Sequence, residues 1–515
     1  MNDYRYVMFC SSAPHWLELG ISLKNSMGAE PALWIGDDAH YDKAKSFFGA
    51  SVVKKLSDLR YAAESEQANY DGSNNNFFLS NEYSTAKDLC IKMMDRLDDS
   101  STFNRLDREV WFHNVCIWTL NHFSNHPPNA LIMSEAPHNH AQYAIFEICK
   151  YLKIPILKFS AYTPIPCLTA SIWEDDKYVK IPIANENKIK KDNLKVKAQL
   201  QEAFKKYLDL TFDRLVSKKT GEAPLHLALL KTKSNSINFH FETLYGLFKD
   251  SFRFIKYPKN WFRFNDYKGT NPFKLFPLFI FFASRLRKFF LKVELKKYTD
   301  SESAMKNEKY VYYPLHYEPE RTTNPDGGIY QDQLINIILL RKYLPSSVKI
   351  VVKEHPAQFM SARTGYRGRS PLFYRQLKNI SGLILLPPKV RSDKLIESSI
   401  AVATISGTVG FEAACIQKKC ILFGETWFKG MPNCYDFDLL PSFKDFMKYE
   451  LSNRHQIEEY FHDVIEQYGL PGFQNLSALP RIEEHLTTSF ITAQDYYLLS
   501  TCKYFLNNND CTLSH

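Results

Sequence analysis

The sequence predicts an α/β protein of two doubly wound domains around a helical middle, and three observations predict it. First, apolar runs alternate with helical patterns near the amino terminus: Tyr6 to Cys10 (YVMFC), a helical stretch from His15 to Asn25, then Ala32 to Ile35 (ALWI). Second, the same rhythm returns beyond residue 305 with several short β-branched and aromatic runs, each followed by an amphipathic stretch. Third, the rhythm is lost between about 180 and 305, where charged helices give way to NFHFETLYGLFKDSFRFIKYPKNWFRF.

In chain order, the first domain spans 1–180 and its clearest unit is at 130–159, where ALIM leads to the turn SEAPHNH, the helix AQYAIFEICKYLK and the strand IPILKF. Residues 181–305 form the helical, basic and aromatic middle. The second domain spans 306–470. It holds KYVYYPL (309–315), a helix across Gln331 to Tyr343, the strand VKIVVK, a helix around Phe373 to Lys378 and GLILL (382–386). A helix near Ser392 to Ser398, AVATIS (401–406), a helix opened by Gly407-Thr408 and CILFG (420–424) complete it. A helical tail, 471–515, is expected to pack back on the first domain. No short-period repeat is present.

A chain of 515 residues with 45% hydrophobic content suits two large globular cores and excludes disorder as the class. The formal charge of +9 fits an anionic substrate or an anionic membrane surface and carries no nucleic-acid signature. Ten scattered cysteines without a C-x-x-C pair indicate neither a zinc site nor a disulfide framework, so a reducing cytoplasm is expected. The opening MNDYRYVMFCSSAPHW predicts no export signal. The most lipophilic segment, LFPLFIFFA (275–283), is far shorter than the roughly 20 residues that span a bilayer. The mixture of Phe, Trp and Leu with Arg285, Arg287 and Lys288 across 252–292 suits either contact with a membrane surface or an internal helical hairpin.

Three strand ends of the second domain carry polar groups: His316-Tyr317-Glu318, Lys353-Glu354-His355-Pro356 and Ser406-Gly407-Thr408. Parallel strands with helical crossovers put all three on one edge of the sheet, where open α/β sheets bind ligands. Small and hydroxyl residues at a strand-to-helix turn expose N–H groups at the helix's positive end, which favours a phosphate, and Lys353 or His355 would neutralise the same group. The plainer readings are an N-cap, a proline turn and a solvated lysine. Glu354 points away from its neighbours by strand alternation and has no assigned role.

The stretches PLHYEPERTT (314–323), YQDQL (330–334), VVKEHP (351–356), GRSPLFYRQL (368–377), ATISGTVGFEA (403–413) and ILFGETWF (421–428) resemble the bacterial capsule polysaccharide biosynthesis family that includes the β-Kdo transferases. The resemblance covers residues 305–430. It implies a GT-B glycosyltransferase, with two Rossmann-like domains facing across a cleft, the first on the acceptor side and the second holding a CMP-sugar such as CMP-Kdo. On that pattern His355, Ser406 and Thr408 hold the CMP phosphate, with Lys353, Pro356 and Gly407 beside them. Glu412, expected to start the following helix, serves the ribose or caps the turn.

Sugar transfer also needs a carboxylate, as acceptor base or as nucleophile. Glu135, in SEAPHNH, is the first candidate and Asp332, in YQDQL, the second; each also reads as a helix-capping acid. His138, His140, His316, Tyr317 and Glu318 are candidates for orienting substrate. Glu174-Asp175-Asp176 reads as a solvated loop rather than a metal-binding D-x-D, and a single donor phosphate needs no metal, so neither metal nor cofactor is expected. The expected partners are a nucleotide sugar and a glycan or glycolipid acceptor, in the cytoplasm or on the inner face of the cytoplasmic membrane. The alternatives are a CMP-nonulosonate or UDP-sugar transferase, a CDP-glycerol-type phosphotransferase, and an inactive nucleotide-binding capsule-assembly protein.

Overall fold

The structure, a computed structural model, describes residues 4–61, 75–97, 105–162, 165–183, 191–216, 277–359, 365–476 and 486–508. The elements begin with β1 (Arg5–Phe9), α1 (His15–Met27), β2 (Glu30–Gly36), α2 (Asp38–Phe48), β3 (Val53–Lys55), α3 (Leu56–Tyr61), α4 (Asn75–Phe78), α5 (Asn81–Leu97) and α6 (Arg105–Asn125). They continue with β4 (Ala130–Met133), α7 (His140–Tyr151), β5 (Ile156–Ala161), β6 (Cys167–Glu174), β7 (Lys177–Lys180), α8 (Lys191–Val216) and α9 (Pro277–Tyr298). Next come β8 (Tyr310–Pro314), α10 (Gln333–Tyr343), β9 (Lys349–Lys353), α11 (Pro371–Lys378), β10 (Leu383–Leu386), α12 (Ser392–Ser398), β11 (Ala401–Thr404) and α13 (Thr408–Cys415). The last are β12 (Lys419–Leu422), β13 (Cys434–Asp436), α14 (Phe443–Lys448), α15 (Arg454–Tyr468), β14 (Leu470–Pro471) and α16 (Thr488–Asn508).

Two compact units result, one of residues 1–94, 104–208 and 458–515, the other of 95–103 and 209–457. This division differs from one at 180, 305 and 470. Helix residues 191–208 fall with the first unit, and the carboxyl-terminal stretch joins it from residue 458. There β14 pairs antiparallel with β6, Leu470 opposite Leu168, and α16 packs on α1 and β14. Of the basic and aromatic stretch, residues 217–276 lie outside the described residues.

The sheet of the first unit runs β14-β6-β5-β4-β1-β2-β3, with β7 beyond β6. Its β5-β4-β1-β2-β3 portion is parallel, while β6, β7 and β14 join antiparallel. The antiparallel edge has no counterpart in the βαβ reading of the sequence. Glu174-Asp175-Asp176 ends β6 and makes the hairpin turn into β7, Asp175 and Asp176 both adopting positive φ.

In the second unit β10-β9-β8-β11-β12-β13 is parallel throughout, the 3-2-1-4-5-6 order of a Rossmann sheet. Alternation along its strands explains why helices cover both faces. Val311, Tyr313, Ile350, Val352, Leu383 and Leu385 pack with Leu291 of α9, Ile337 and Leu340 of α10, and Tyr374 and Leu377 of α11. The intervening Tyr310, Tyr312, Val351, Ile384 and Leu386 pack with Leu395 and Ile396 of α12 and Ala413 of α13. Strands buried on both faces must be apolar at nearly every position, which is why VKIVVK and GLILL read as continuous runs. The expectation of two Rossmann-like α/β domains is met.

Local sequence starts the helices where the site needs them. Asp332 caps α10 by accepting from the Leu334 and Ile335 N–H groups, so the helix begins at Gln333. Ser370 caps α11, with Pro371 as its first residue. Asn139 caps α7 by accepting from Gln142 N–H, and the Gln142 amide oxygen returns the bond to Asn139 Nδ2.

Candidate functional site

In the second sheet the strand order reverses between β8 and β11, and the chain leaving their carboxyl ends carries His316 and Ser406-Gly407. His316 bridges the two strand ends. The Ile405 N–H donates to its Nε2 (3.3 Å), and Thr404 Oγ1 lies 2.9 Å from the same nitrogen. Thr404 Oγ1 also accepts from the Gly407 N–H (3.1 Å), and its own proton can turn to the Nε2 that the Ile405 N–H already makes an acceptor. An Nε2 that accepts from the Ile405 N–H leaves the proton on Nδ1, for which no hydrogen bond is seen among the described residues. Burial, reinforced by the neighbouring His355 and Arg369, lowers the pKa of His316 to about 3, so the ring is neutral at physiological pH.

His355 follows β9 on the same edge. Its Nδ1 accepts from the Ala357 N–H (3.1 Å), which places the proton on Nε2. Tyr317, buried, stands edge-on to this ring with centroids 6.2 Å apart. Pro356 begins a short 3-10 turn, Pro356–Phe359, that carries the chain off the strand.

Gly407 supplies no side-chain cap to α13, and the Gly410 N–H turns back to the Gly407 carbonyl (3.0 Å). The N–H groups of Thr408 and Val409, at the first helical positions, have no intrahelical acceptor. A Cβ at Gly407 would lie 2.9 Å from Thr404 Oγ1 and 3.3 Å from His316 Cε1, so glycine is needed for the close approach of ring, turn and helix. Two neutral imidazoles, each carrying one N–H, and a helix start are donors suited to a phosphate.

Several expected ligands are engaged elsewhere. Lys353 turns inward, where Nζ donates to the Val390 carbonyl (2.9 Å) and to Ser392 Oγ; burial, partly offset by Asp393, brings its pKa down to about 8. It anchors the turn into α12 in place of reaching into the crevice. Ser406 Oγ donates to the Thr322 carbonyl (2.7 Å) and fastens loop 317–328 to the strand end. Glu412 does not start α13; it is the fifth residue of the helix, one turn in, and does not cap it. Asp332 is exposed, and the two hydrogen bonds it accepts are capping bonds, worth about 1 kcal/mol in total. Glu318 is buried, accepting from Gln333 Nε2 (3.1 Å).

The largest omission of the sequence reading lies under the histidines. Glu354 and Arg369, 0% and 1% exposed at their side chains, form a forked ion pair: Nε to Oε2 at 2.8 Å and Nη2 to Oε1 at 3.1 Å. Tyr374 Oη donates to Oε2 (2.7 Å) and the His355 N–H to Oε1 (2.7 Å). Burial works against the Arg369 cation, but Glu354 outweighs it and holds the pKa above the ordinary arginine value. Strand alternation was the available signal that Glu354 faces away from Lys353; a partner fifteen residues on had no signature.

The first sheet reverses order between β1 and β4, and there the chain's own segment 473–476 lies across the edge. The Gln474 carbonyl accepts from Trp16 Nε1 (2.8 Å) and Ser11 Oγ, while Gln474 Nε2 donates to the Ser134 (3.2 Å) and Phe159 (3.1 Å) carbonyls. The Leu476 N–H reaches Ser12 Oγ (3.0 Å), and Phe473 sits edge-on to His15 at 4.8 Å. Beside this strap, Glu135 Oε2 is 3.3 Å from His138 Nε2 and has no hydrogen bond among the described residues. His138 Nδ1 faces the Ala136 carbonyl and therefore carries a proton, so Nε2 is the ring nitrogen turned to the carboxylate. His140, the first residue of α7, is buried and stacked on Trp111 at 6.5 Å, in the core.

Residues 255–443 match the family model described as capsule polysaccharide biosynthesis protein, so the stretch in which the family resemblance was read is a match to that family. No curated protein matches the chain. Among solved structures, the β-Kdo 2,7 transferase of Thermosulfurimonas dismutans KpsC is similar at 16% identity, covering 35% of this chain and 55% of that one, with a TM-score of 0.21. The β-Kdo 2,4 transferase of the same protein gives 11% identity, 65% and 78% coverage and a TM-score of 0.25. UDP-GlcNAc 2-epimerase from Neisseria meningitidis gives 13%, 97%, 100% and 0.19. The chain thus spans about half the length of the first of these.

Proposed function

We propose that the protein is a glycosyltransferase of capsule or other surface-polysaccharide assembly, moving Kdo or a related acidic sugar from a CMP donor to a growing glycan. The observation that supports this most is the β8–β11 switch point, where His316 carries its proton on Nδ1 and the first turn of α13 begins, with His355 following the neighbouring strand β9 on the same edge. Thr408 and Gly407 belong to that turn, with Pro356 and Tyr317 shaping its border. The match to the capsule family over 255–443 supports the choice of a sugar donor. Acid–base chemistry is assigned to Glu135 with His138, because this carboxylate keeps an unsatisfied oxygen beside an imidazole. Asp332 is the second choice, its oxygens already capping α10.

Thermal-shift measurements against CMP, CDP, UDP and GDP test the reading. A shift with CMP alone, abolished in His355→Ala, is expected, and selective UDP or GDP binding overturns the donor assignment. Glu135→Ala is expected to keep the shift and lose CMP release from CMP-sugar. Since one phosphate needs no bridging ion, turnover in excess EDTA is expected to be unchanged.

A lipid-linked acceptor would bring the protein to the membrane surface. Among the described residues no helix is long and apolar enough to cross a membrane. Of the 252–292 stretch, 277–292 belongs to α9, where Leu286, Phe290 and Val293 are exposed near Arg287 and Lys296. Lys288 is buried against Tyr366, so charge reversal at Arg287 and Lys296 is the informative variant. Loss of co-sedimentation with anionic vesicles is its expected result.

A further inference from the structure

We propose that Arg369, held by Glu354 and Tyr374, is a positioning residue that fixes the orientation and tautomers of His316 and His355, so that both present an N–H at the switch point. The guanidinium connects two strand ends: Nη2 donates to the His316 carbonyl (2.7 Å) as well as to Glu354 Oε1, while Nε takes Glu354 Oε2. Glu354 carries the link on to the next residue by accepting from the His355 N–H. The carboxylate receives four donors in all, from Arg369 Nε and Nη2, Tyr374 Oη and His355 N–H, which fills its acceptor positions. The guanidinium also lies 4.8 Å from the Phe373 ring, which restrains its plane.

The consequence for the imidazoles follows from what each backbone can do. His316 is held at both backbone atoms, its N–H by Gln333 Oε1 (2.7 Å) and its carbonyl by Arg369 (2.7 Å) and Gln333 Nε2 (3.4 Å), and in that position Nε2 accepts from the Ile405 N–H. His355 is held at its N–H by Glu354, and in that position Nδ1 accepts from the Ala357 N–H. If the fork is lost, both rings are free to exchange tautomers, and one or both would present a lone pair to an anion. Lysine cannot replace arginine here, because a point charge cannot reach the carboxylate and the carbonyl in one plane.

The role in ligand binding rests on the nucleotide reading above, whereas the tautomer assignment does not, and the two are read separately. The full chain is labelled with [15N]histidine, His316 and His355 signals are assigned with H316Q and H355Q, and CMP affinity is measured on the same samples. The wild type is expected to show Nδ1–H at His316 and Nε2–H at His355. In Arg369→Lys the His355 signal is expected to become a mixture, with CMP binding weakened roughly tenfold; Tyr374→Phe, which removes one of four donors, weakens it roughly threefold. The double variant Glu354→Gln/Arg369→Met keeps volume without burying a lone charge, so it is expected to fold and still lose the tautomer preference. Wild-type tautomers of the opposite kind, or folded variants that all retain the wild-type pattern, overturn the proposal. If the tautomers behave as stated and CMP does not bind the wild type, the nucleotide reading fails and the positioning stands.

Discussion

The two sheets of this protein share a strand order and differ in what occupies the point where it reverses. Read from one edge, both run third, second, first, fourth, fifth, sixth strand of their unit, the first sheet as β3-β2-β1-β4-β5-β6 and the second as β10-β9-β8-β11-β12-β13. At the β1–β4 point, Ser11, Trp16, Ser134 and Phe159 have their polar groups taken up by Gln474 of the same chain. At the β8–β11 point the imidazole of His316 joins the strands and keeps an N–H to offer. Topology supplies a crevice in both cases. Whether it becomes a ligand site depends on which polar groups the chain satisfies internally.

The strongest way to break that contrast is to remove Glu354 or Arg369. Glu354→Ala leaves a buried guanidinium without its carboxylate, and a loss of about 3–5 kcal/mol is expected in urea unfolding. A loss below about 1 kcal/mol would mean that water reaches this pair, and the second switch point would then be no more rigid than the first. Gln474→Ala removes two side-chain bonds to strand-end carbonyls in the first sheet, with an expected cost of about 1–3 kcal/mol and no change in CMP affinity. Weakened nucleotide binding in this variant would show that the strapped edge is the ligand site. Gly407→Ala reverses the pattern, with a small stability change and roughly tenfold weaker CMP binding, since the added methyl crowds Thr404 and His316.

Much of this contrast was legible in the sequence, and the illegible part has a physical reason. Runs such as ALIM, VKIVVK and AVATIS declare buried parallel strands, and the residues just beyond them lie on one edge by construction. That is why His316, His355 and Gly407 could be placed on that edge from the sequence. Hydrogen-bond partners distant in sequence were not. Lys353 reads from the sequence as a supporting charge for the phosphate because nothing in VVKEHP announces the Val390 carbonyl or Ser392 that receive it. The Glu354–Arg369 pair and the Gln474 strap were missed for the same cause, since they join segments 15 and 340 residues apart. Capping was readable from local sequence, and for Asp332 the capping reading accounts for both bonds.

The two switch points are also separated by pH. Each holds a buried histidine: His15 in the first unit, lowered to about 4 by burial with partial relief from the Phe473 backbone, and His316 in the second, lowered to about 3 by burial, reinforced by the neighbouring His355 and Arg369. For either ring the unfolded chain takes up a proton near pH 6.5 that the folded chain refuses. Stability is therefore unaffected above that pH, falls as the pH drops below it, and stops falling once the folded ring protonates. Each histidine contributes a loss of about 1.4 kcal/mol per pH unit in its window, which is 6.5 to about 4 for His15 and 6.5 to about 3 for His316. Urea midpoints at pH 7, 5.5 and 4 in the wild type, H15Q and H316Q give the slopes, and each single variant is expected to be shallower by one histidine between pH 7 and 5.5. Bound CMP should hold His316 in place without altering the His15 window, so added CMP is expected to raise the midpoint equally in the wild type and H15Q and little in H316Q. A CMP effect lost in H15Q and kept in H316Q would move the ligand to the first sheet.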